Sequence, residues 1–200
     1  MQQGKLFVIS GPSGAGKGTI CRELIETGDF ALSVSMTTRA PRSGETEGVS
    51  YFFVTEDEFV RCIEEGGFLE HAQIYGNRYG TPKAPVLREL EAGRDVILEI
   101  EMDGASQVKK NWPQAVLIFI LPPSLKVLKE RLRGRGTETE EQIELRSSRC
   151  LKEIRLISGY DYYVINDELD AAVSDVLSIV RSEHLRTEGC EELIRKYEEE

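Results

Sequence analysis

Gly11-Pro12-Ser13-Gly14-Ala15-Gly16-Lys17 constrains this 200-residue chain more than any other stretch. It fills the first seven positions of G-x-x-x-x-G-K-[ST], a loop whose glycines let successive backbone N–H groups converge on phosphate oxygens. Such a loop works between a buried strand and a helix N-terminus, where the helix adds positive potential and the lysine a full charge. Both neighbours are predicted. Lys5–Ser10 (KLFVIS) is a short apolar run, and Ile20, Cys21, Leu24 and Ile25 recur at helical spacing until Gly28. The eighth position is Gly18, so the hydroxyl arrives one residue late, at Thr19, and the usual direct side-chain ligand for a cation is missing. Alone, the loop implies binding of a nucleoside triphosphate and leaves the acceptor open.

Beyond it, apolar runs alternate with helical patterns. Asp95–Glu101 (DVILEIE), Ala115–Leu121 (AVLIFIL) and Tyr160–Asn166 read as strands, with shorter ones at Ala31–Ser35 and Tyr51–Val54. Thr55-Glu56-Asp57-Glu58 and Thr139-Glu140-Glu141-Gln142 are capping boxes, each starting a helix; the second helix should reach about Ile157, and a last one should span Ala171–Leu185. This alternation predicts an α/β fold with a parallel sheet core. The chain reads as one domain with its core at about 1–35, 82–133 and 159–186. Residues 36–81 and 134–158 interrupt it as insertions above the sheet's carboxyl edge, where ligands bind in such folds, and 187–200 form an acidic tail.

The formal charge of −10 argues against a general nucleic-acid binder. Residues 126–155 nonetheless hold nine Lys/Arg against six Glu, a pattern that suits either a confined anion site or a solvated helix face. The longest apolar run ends at Pro122-Pro123, too short for a membrane span, and nothing at the N-terminus resembles an export signal. Cys21, Cys62, Cys150 and Cys190 are far apart, and His71 and His184 are isolated, so reduced thiols in a cytoplasmic protein are expected rather than a zinc site.

Ser35-Met36-Thr37-Thr38-Arg39-Ala40-Pro41-Arg42-Ser43-Gly44-Glu45, followed by Tyr51-Phe52-Phe53-Val54, resembles the acceptor-binding signature of the guanylate kinases, S-x-T-T-R-x-P-R-x-G-E and then Y-x-F-V. Phe68-Leu69-Glu70-His71-Ala72, Asn77-Arg78-Tyr79-Gly80-Thr81 and Arg131-Leu132-Arg133-Gly134-Arg135-Gly136-Thr137-Glu138 continue the likeness in family order, over about residues 5–186. It implies a three-layer P-loop fold with a GMP-binding insertion and a lid. The implied reaction is transfer of the γ-phosphoryl group of ATP to GMP, and to dGMP, in purine nucleotide metabolism and GTP supply.

Two arginines three apart can clamp a phosphate dianion through forked, charge-assisted hydrogen bonds, and a carboxylate matches the N1–H and N2–H₂ donors of guanine. By the resemblance, Ser35, Arg39, Arg42, Tyr51, Glu70, Tyr79, Thr81 and Glu101 form the GMP site, with hydroxyls of Ser35 and Thr81 toward O6. Gly11, Pro12, Ser13, Gly14, Ala15, Gly16, Lys17, Gly18 and Thr19, with Arg131, Arg135 and Asn166, form the ATP site. Lys17, Arg39, Arg42, Arg135 and Arg146 carry catalysis. The Gly18-Thr19 variant of the loop is similar to that of nucleoside monophosphate kinases, in which Mg²⁺ enters with ATP without a direct protein ligand. Glu99 either orients water on that ion or is a structural strand-end acid. Taken without the resemblance, Glu70 reads as a surface acid; packing aromatics are the alternative reading for Tyr51 and Tyr79, and a solvated face that for Arg131, Arg135, Arg146 and Arg149. A kinase-like scaffold without catalysis would be expected to have lost Lys17 or the arginines. Another small-metabolite kinase would share the loop without the S-x-T-T-R-x-P-R segment.

Overall fold

The computed structural model describes residues 3–74, 76–134, 139–187 and 190–199. Strand β1 (Leu6–Ser10) is buried at every position, as a strand covered on both faces must be. The glycine loop carries the chain into α1 (Lys17–Glu26), which turns Ile20, Cys21 and Leu24 inward. There follow β2 (Phe30–Leu32), β3 (Met36–Thr37), β4 (Phe52–Phe53), α2 (Glu56–Glu64), β5 (Phe68–Ile74) and β6 (Asn77–Pro82). The chain then forms α3 (Lys83–Glu91), β7 (Asp95–Glu99), α4 (Met102–Asn111), β8 (Val116–Leu121) and α5 (Leu125–Gly134). Last come α6 (Glu140–Ile154), β9 (Tyr162–Ile165), α7 (Leu169–His184) and α8 (Glu191–Glu198).

Five strands pair in the order β2-β7-β1-β8-β9, every pair parallel. The first strand is thus the central one, with Val8 between Leu98 and Leu117. Its alternation divides the core: Phe7 and Ile9 pack with Ile20, Leu24 and Val176, while Leu6 and Val8 pack with Val86, Leu98 and Val108. Fully burying each such side chain contributes about 1.5–3 kcal/mol. Residues of the first insertion form a second sheet, β4-β3-β6-β5. That sheet is rooted in the main core through Leu69, which is completely buried among Val86, Leu90 and Leu98.

Both capping boxes form as the residue types require, with Thr55 and Thr139 each accepting from the amide three residues on. Ser124 likewise accepts from Val127 N–H at 3.1 Å. Other boundaries differ from the expectation. The strand expected at Ala31–Ser35 ends at Leu32, because the chain there passes from one sheet to the other. Helix α6 stops at Ile154, and a 3-10 turn, Ile157–Gly159, precedes β9. The expected tail contains α8, built from good helix formers but starting at Cys190 without a side-chain cap, so it gives no start signal. Cys21, Cys62, Cys150 and Cys190 are free thiols, and burial, then the charge of Glu99, pushes Cys21 up to about 12. No helix among the described residues is long and apolar enough to cross a membrane.

Candidate active site

The loop after β1 opens into a cleft of about 360 Å³, bounded also by Thr19 and Arg22 of α1, by Glu99 at the end of β7 and by Glu101 just beyond it. Lys17 is only 9% exposed, and its ammonium folds back over its own loop, donating to Gly11 O at 2.6 Å and Pro12 O at 3.2 Å. Gly16 has φ 93°, a left-handed conformation that disfavours a side chain, and a Cβ there would run into the Asn166 amide. Asn166, buried just past β9, donates from Nδ2 to Ala15 O at 2.8 Å. Arg131 of α5 in turn donates to Asn166 O at 2.9 Å. Asn166 was expected at ATP; here its amide braces the loop's backbone. Arg146 reaches from α6 to Ser13 Oγ at 2.6 Å, joining the second insertion to the loop. Arg135 lies outside the described residues.

Gly18 makes room for an acid. A Cβ at that position would stand 3.3 Å from Glu99 Oε1, so a carboxylate lies beside the place where the pattern would put a hydroxyl. Loss of hydration at the cleft wall raises the Glu99 carboxyl above its ordinary value, with Lys17 pulling it down and Glu101 pushing it up. Among the described residues no group of three or more His, Cys, Asp or Glu side chains could hold a metal ion. Two carboxylates beside a phosphate cradle suit a hard divalent cation that keeps its waters and arrives on a nucleotide.

A second cluster lies on the loop after β3. Arg39 forms a two-pronged pair with Glu45, with Nη2 at 2.8 Å from Oε1 and Nη1 at 3.0 Å from Oε2. The Arg42 amide donates to Glu45 Oε2 at 2.7 Å, while the Arg42 side chain stays exposed. The guanidinium of Arg39 lies 5.5 Å from the centre of the Tyr51 ring, which meets Tyr79 edge-on. Hydrogen bonds, first from Arg39 and then from the Arg42 amide, hold the Glu45 carboxyl below its ordinary value. Glu45 was given no role from sequence, although it closes the S-x-T-T-R-x-P-R-x-G-E signature. Arg22 was also missed; its place one helical turn after Gly18 is the signal that could have found it.

The third cluster centres on Glu70, paired with Thr81 across β5 and β6 and only 8% exposed. Thr81 Oγ1 donates to Glu70 Oε1 at 2.7 Å. A hydroxyl has one proton, so Thr81 aligns Glu70 and Ser35 is left as the donor of the expected pair. Ser35, half-buried before β3, accepts at its backbone oxygen from Phe52 N–H at 2.9 Å. Glu101, expected beside the base, stands at the residue before α4 without a side-chain bond to the helix amides, and it lines the phosphate cleft.

Burial raises the Glu70 carboxyl above its ordinary 4.5, and the Thr81 hydrogen bonds only partly offset it. The folded state therefore prefers the protonated form more than the unfolded chain does. The resulting stability is complete below the unfolded value and is lost as pH rises through the higher folded value. Glu70→Gln, always neutral, should escape that loss. Its melting temperature relative to wild type should rise between about pH 4 and neutrality; a difference that stays level over this range would show that Glu70 is not held at a cost.

The guanylate kinase family model matches residues 3–183. The guanylate kinase of Clostridioides difficile is 51% identical over 202 residues, covering 100% of this chain and 98% of the relative. That of Caldanaerobacter subterraneus subsp. tengcongensis is 52% identical over 200 residues, covering 100% and 97%. Among solved structures, guanylate kinase from Anaplasma phagocytophilum superposes with a TM-score of 0.71 at 33% identity, covering 93% of this chain and 89% of that one. A parallel sheet carrying a phosphate loop, two arginine-bearing insertions and this likeness along nearly the whole length agree: the chain belongs to the guanylate kinase family of kinases.

Proposed function

We propose that this protein transfers the γ-phosphoryl group of ATP to GMP or dGMP, releasing ADP and GDP or dGDP. The observation that carries the reading is Glu70, a buried carboxylate aligned by Thr81. Such an acid is costly unless a ligand supplies donors to it, and guanine supplies two side by side on one edge. Phosphoryl transfer asks for charge stabilisation and in-line positioning more than for a protein base. Lys17, the loop amides, Arg146 and Arg135 would meet the β- and γ-phosphates, while Arg131 and Asn166 keep the loop in shape. Arg39 and Arg42, with Tyr51 and Tyr79, would hold the acceptor's phosphate. Mg²⁺ entering with ATP would be held by nucleotide oxygens, with Glu99 accepting from its water; bound there, it neutralises charge on the transferring group. Closure of residues 36–81 and 134–158 over the cleft would exclude water and suppress hydrolysis of ATP.

A coupled ADP-release assay with GMP, dGMP, IMP, AMP, CMP and UMP tests the proposal. GMP and dGMP should turn over fastest, IMP more slowly, and AMP, CMP and UMP barely above the rate without acceptor. ATP turnover independent of the acceptor would overturn it.

A further inference from the structure

Strand β5 is the outer strand of the second sheet, so one row of its backbone groups has no neighbouring strand. Helix α4 covers that row. Gln107 Oε1 accepts from His71 N–H at 3.2 Å, and Gln107 Nε2 donates to His71 O at 3.1 Å. One turn on, Asn111 Nδ2 donates to Leu69 O at 2.8 Å. One turn back stands Gly104, where a Cβ would be 3.0 Å from Glu70 Oε2. Positions 104, 107 and 111 share a helix face. Both residues flanking Glu70 are therefore tied through their backbones to α4, and the carboxylate itself passes over the bare backbone of the same helix.

We propose that Gln107 is a positioning residue for base selectivity: by acting as a substitute strand along β5 it fixes the direction in which Glu70 faces the acceptor. The proposal rests on the reading above that Glu70 contacts the guanine edge. Gln107 engages both backbone groups of one strand residue, as a paired strand would. Leu69, one step before Glu70, is rooted in the main core. Gln107 and Leu69 together leave the carboxylate little freedom to swing, and a buried carboxylate distinguishes ligands only if it meets their donors at the right angle.

The test compares kcat and KM for GMP and IMP, and KM for ATP, in wild type, Gln107→Met, Gln107→Glu, Glu70→Gln and the double variant Glu70→Gln/Gln107→Met. Gln107→Met removes both hydrogen bonds at similar volume, whereas Gln107→Glu keeps only the acceptor. Gln107→Met should raise KM for GMP about tenfold, narrow the GMP-to-IMP ratio, and leave KM for ATP within twofold. Gln107→Glu, which sets a carboxylate oxygen against His71 O, should narrow the ratio at least as far, and decides the matter alone if the methionine variant lacks a native circular dichroism spectrum. Added to Glu70→Gln, the methionine substitution should narrow the ratio no further, since Gln107 acts through Glu70. Equal losses for GMP and IMP in the Gln107 variants, or the same narrowing with Glu70 already changed, would overturn the proposal and leave the role of Glu70 standing. A wild-type ratio in Glu70→Gln would instead overturn the reading of Glu70, and this inference with it.

Discussion

Lys17→Ala is expected to leave a folded protein whose kcat is lower by about 10²-fold or more, the usual effect of deleting one transition-state contact. The ammonium is held by carbonyl oxygens of its own loop, at Gly11 and Pro12, and not by the apolar core. Removing it exposes those oxygens to the cleft, where water can satisfy them, so the fold should not need it. Without it the loop keeps its amides and the helix N-terminus but lacks its full positive charge. The measurement pairs kcat for GMP phosphorylation with the melting temperature. A folded variant with near-normal kcat would show that the loop is not the catalytic cradle.

The second large effect concerns the base. With Glu70 facing N1–H and N2–H₂, AMP should be a poor acceptor, because it presents an unprotonated N1 and no 2-amino group. A buried carboxylate would then meet a lone pair, and sites of this kind discriminate by roughly 10⁴-fold. IMP keeps N1–H but lacks the amine, so it should lose about 1.5–3 kcal/mol for one charged hydrogen bond. Glu70→Gln can still accept from Thr81 but turns an NH₂ toward the guanine donors. It should lower kcat/KM for GMP sharply and bring GMP and IMP closer together. Glu101→Gln should act more weakly, since Glu101 stands at the phosphate cleft. If Glu70→Gln scales GMP, IMP and AMP by one factor, Glu70 does not read the base.

Which parts of the molecule could be read beforehand follows from the range of the forces involved. The phosphate loop, both capping boxes and the buried strands depend on neighbours within a few residues, and they form as their residue types require. Glu70 required more: its burial comes from Thr81, 11 residues on, and from Gly104 on a helix beyond the next strand, so only the family likeness singled it out. Asn166 is expected at the nucleotide by the likeness alone; that its amide also braces a loop carbonyl 151 positions away is a contact no local pattern reveals. Glu45 stood inside a recognised signature with no role, because its function is to partner Arg39, and pairing is invisible until the loop is folded. Helix α8 lacked a capping residue, and the excess of glutamate near it reads equally as a solvated tail.

The central position of β1 has a consequence for synthesis on the ribosome. Its two partners, β7 and β8, are completed only at Glu99 and Leu121, so the most apolar part of the first ten residues waits unpaired while more than half of the chain is made. Closing such distant parallel pairings is slow, and an apolar strand with two open edges invites pairing with other chains meanwhile. The anchor of the finished sheet is thus the segment with the longest exposure in the nascent chain. During that interval α1, made next, can cover Phe7 and Ile9 on one face through Ile20 and Leu24, but both strand edges stay open.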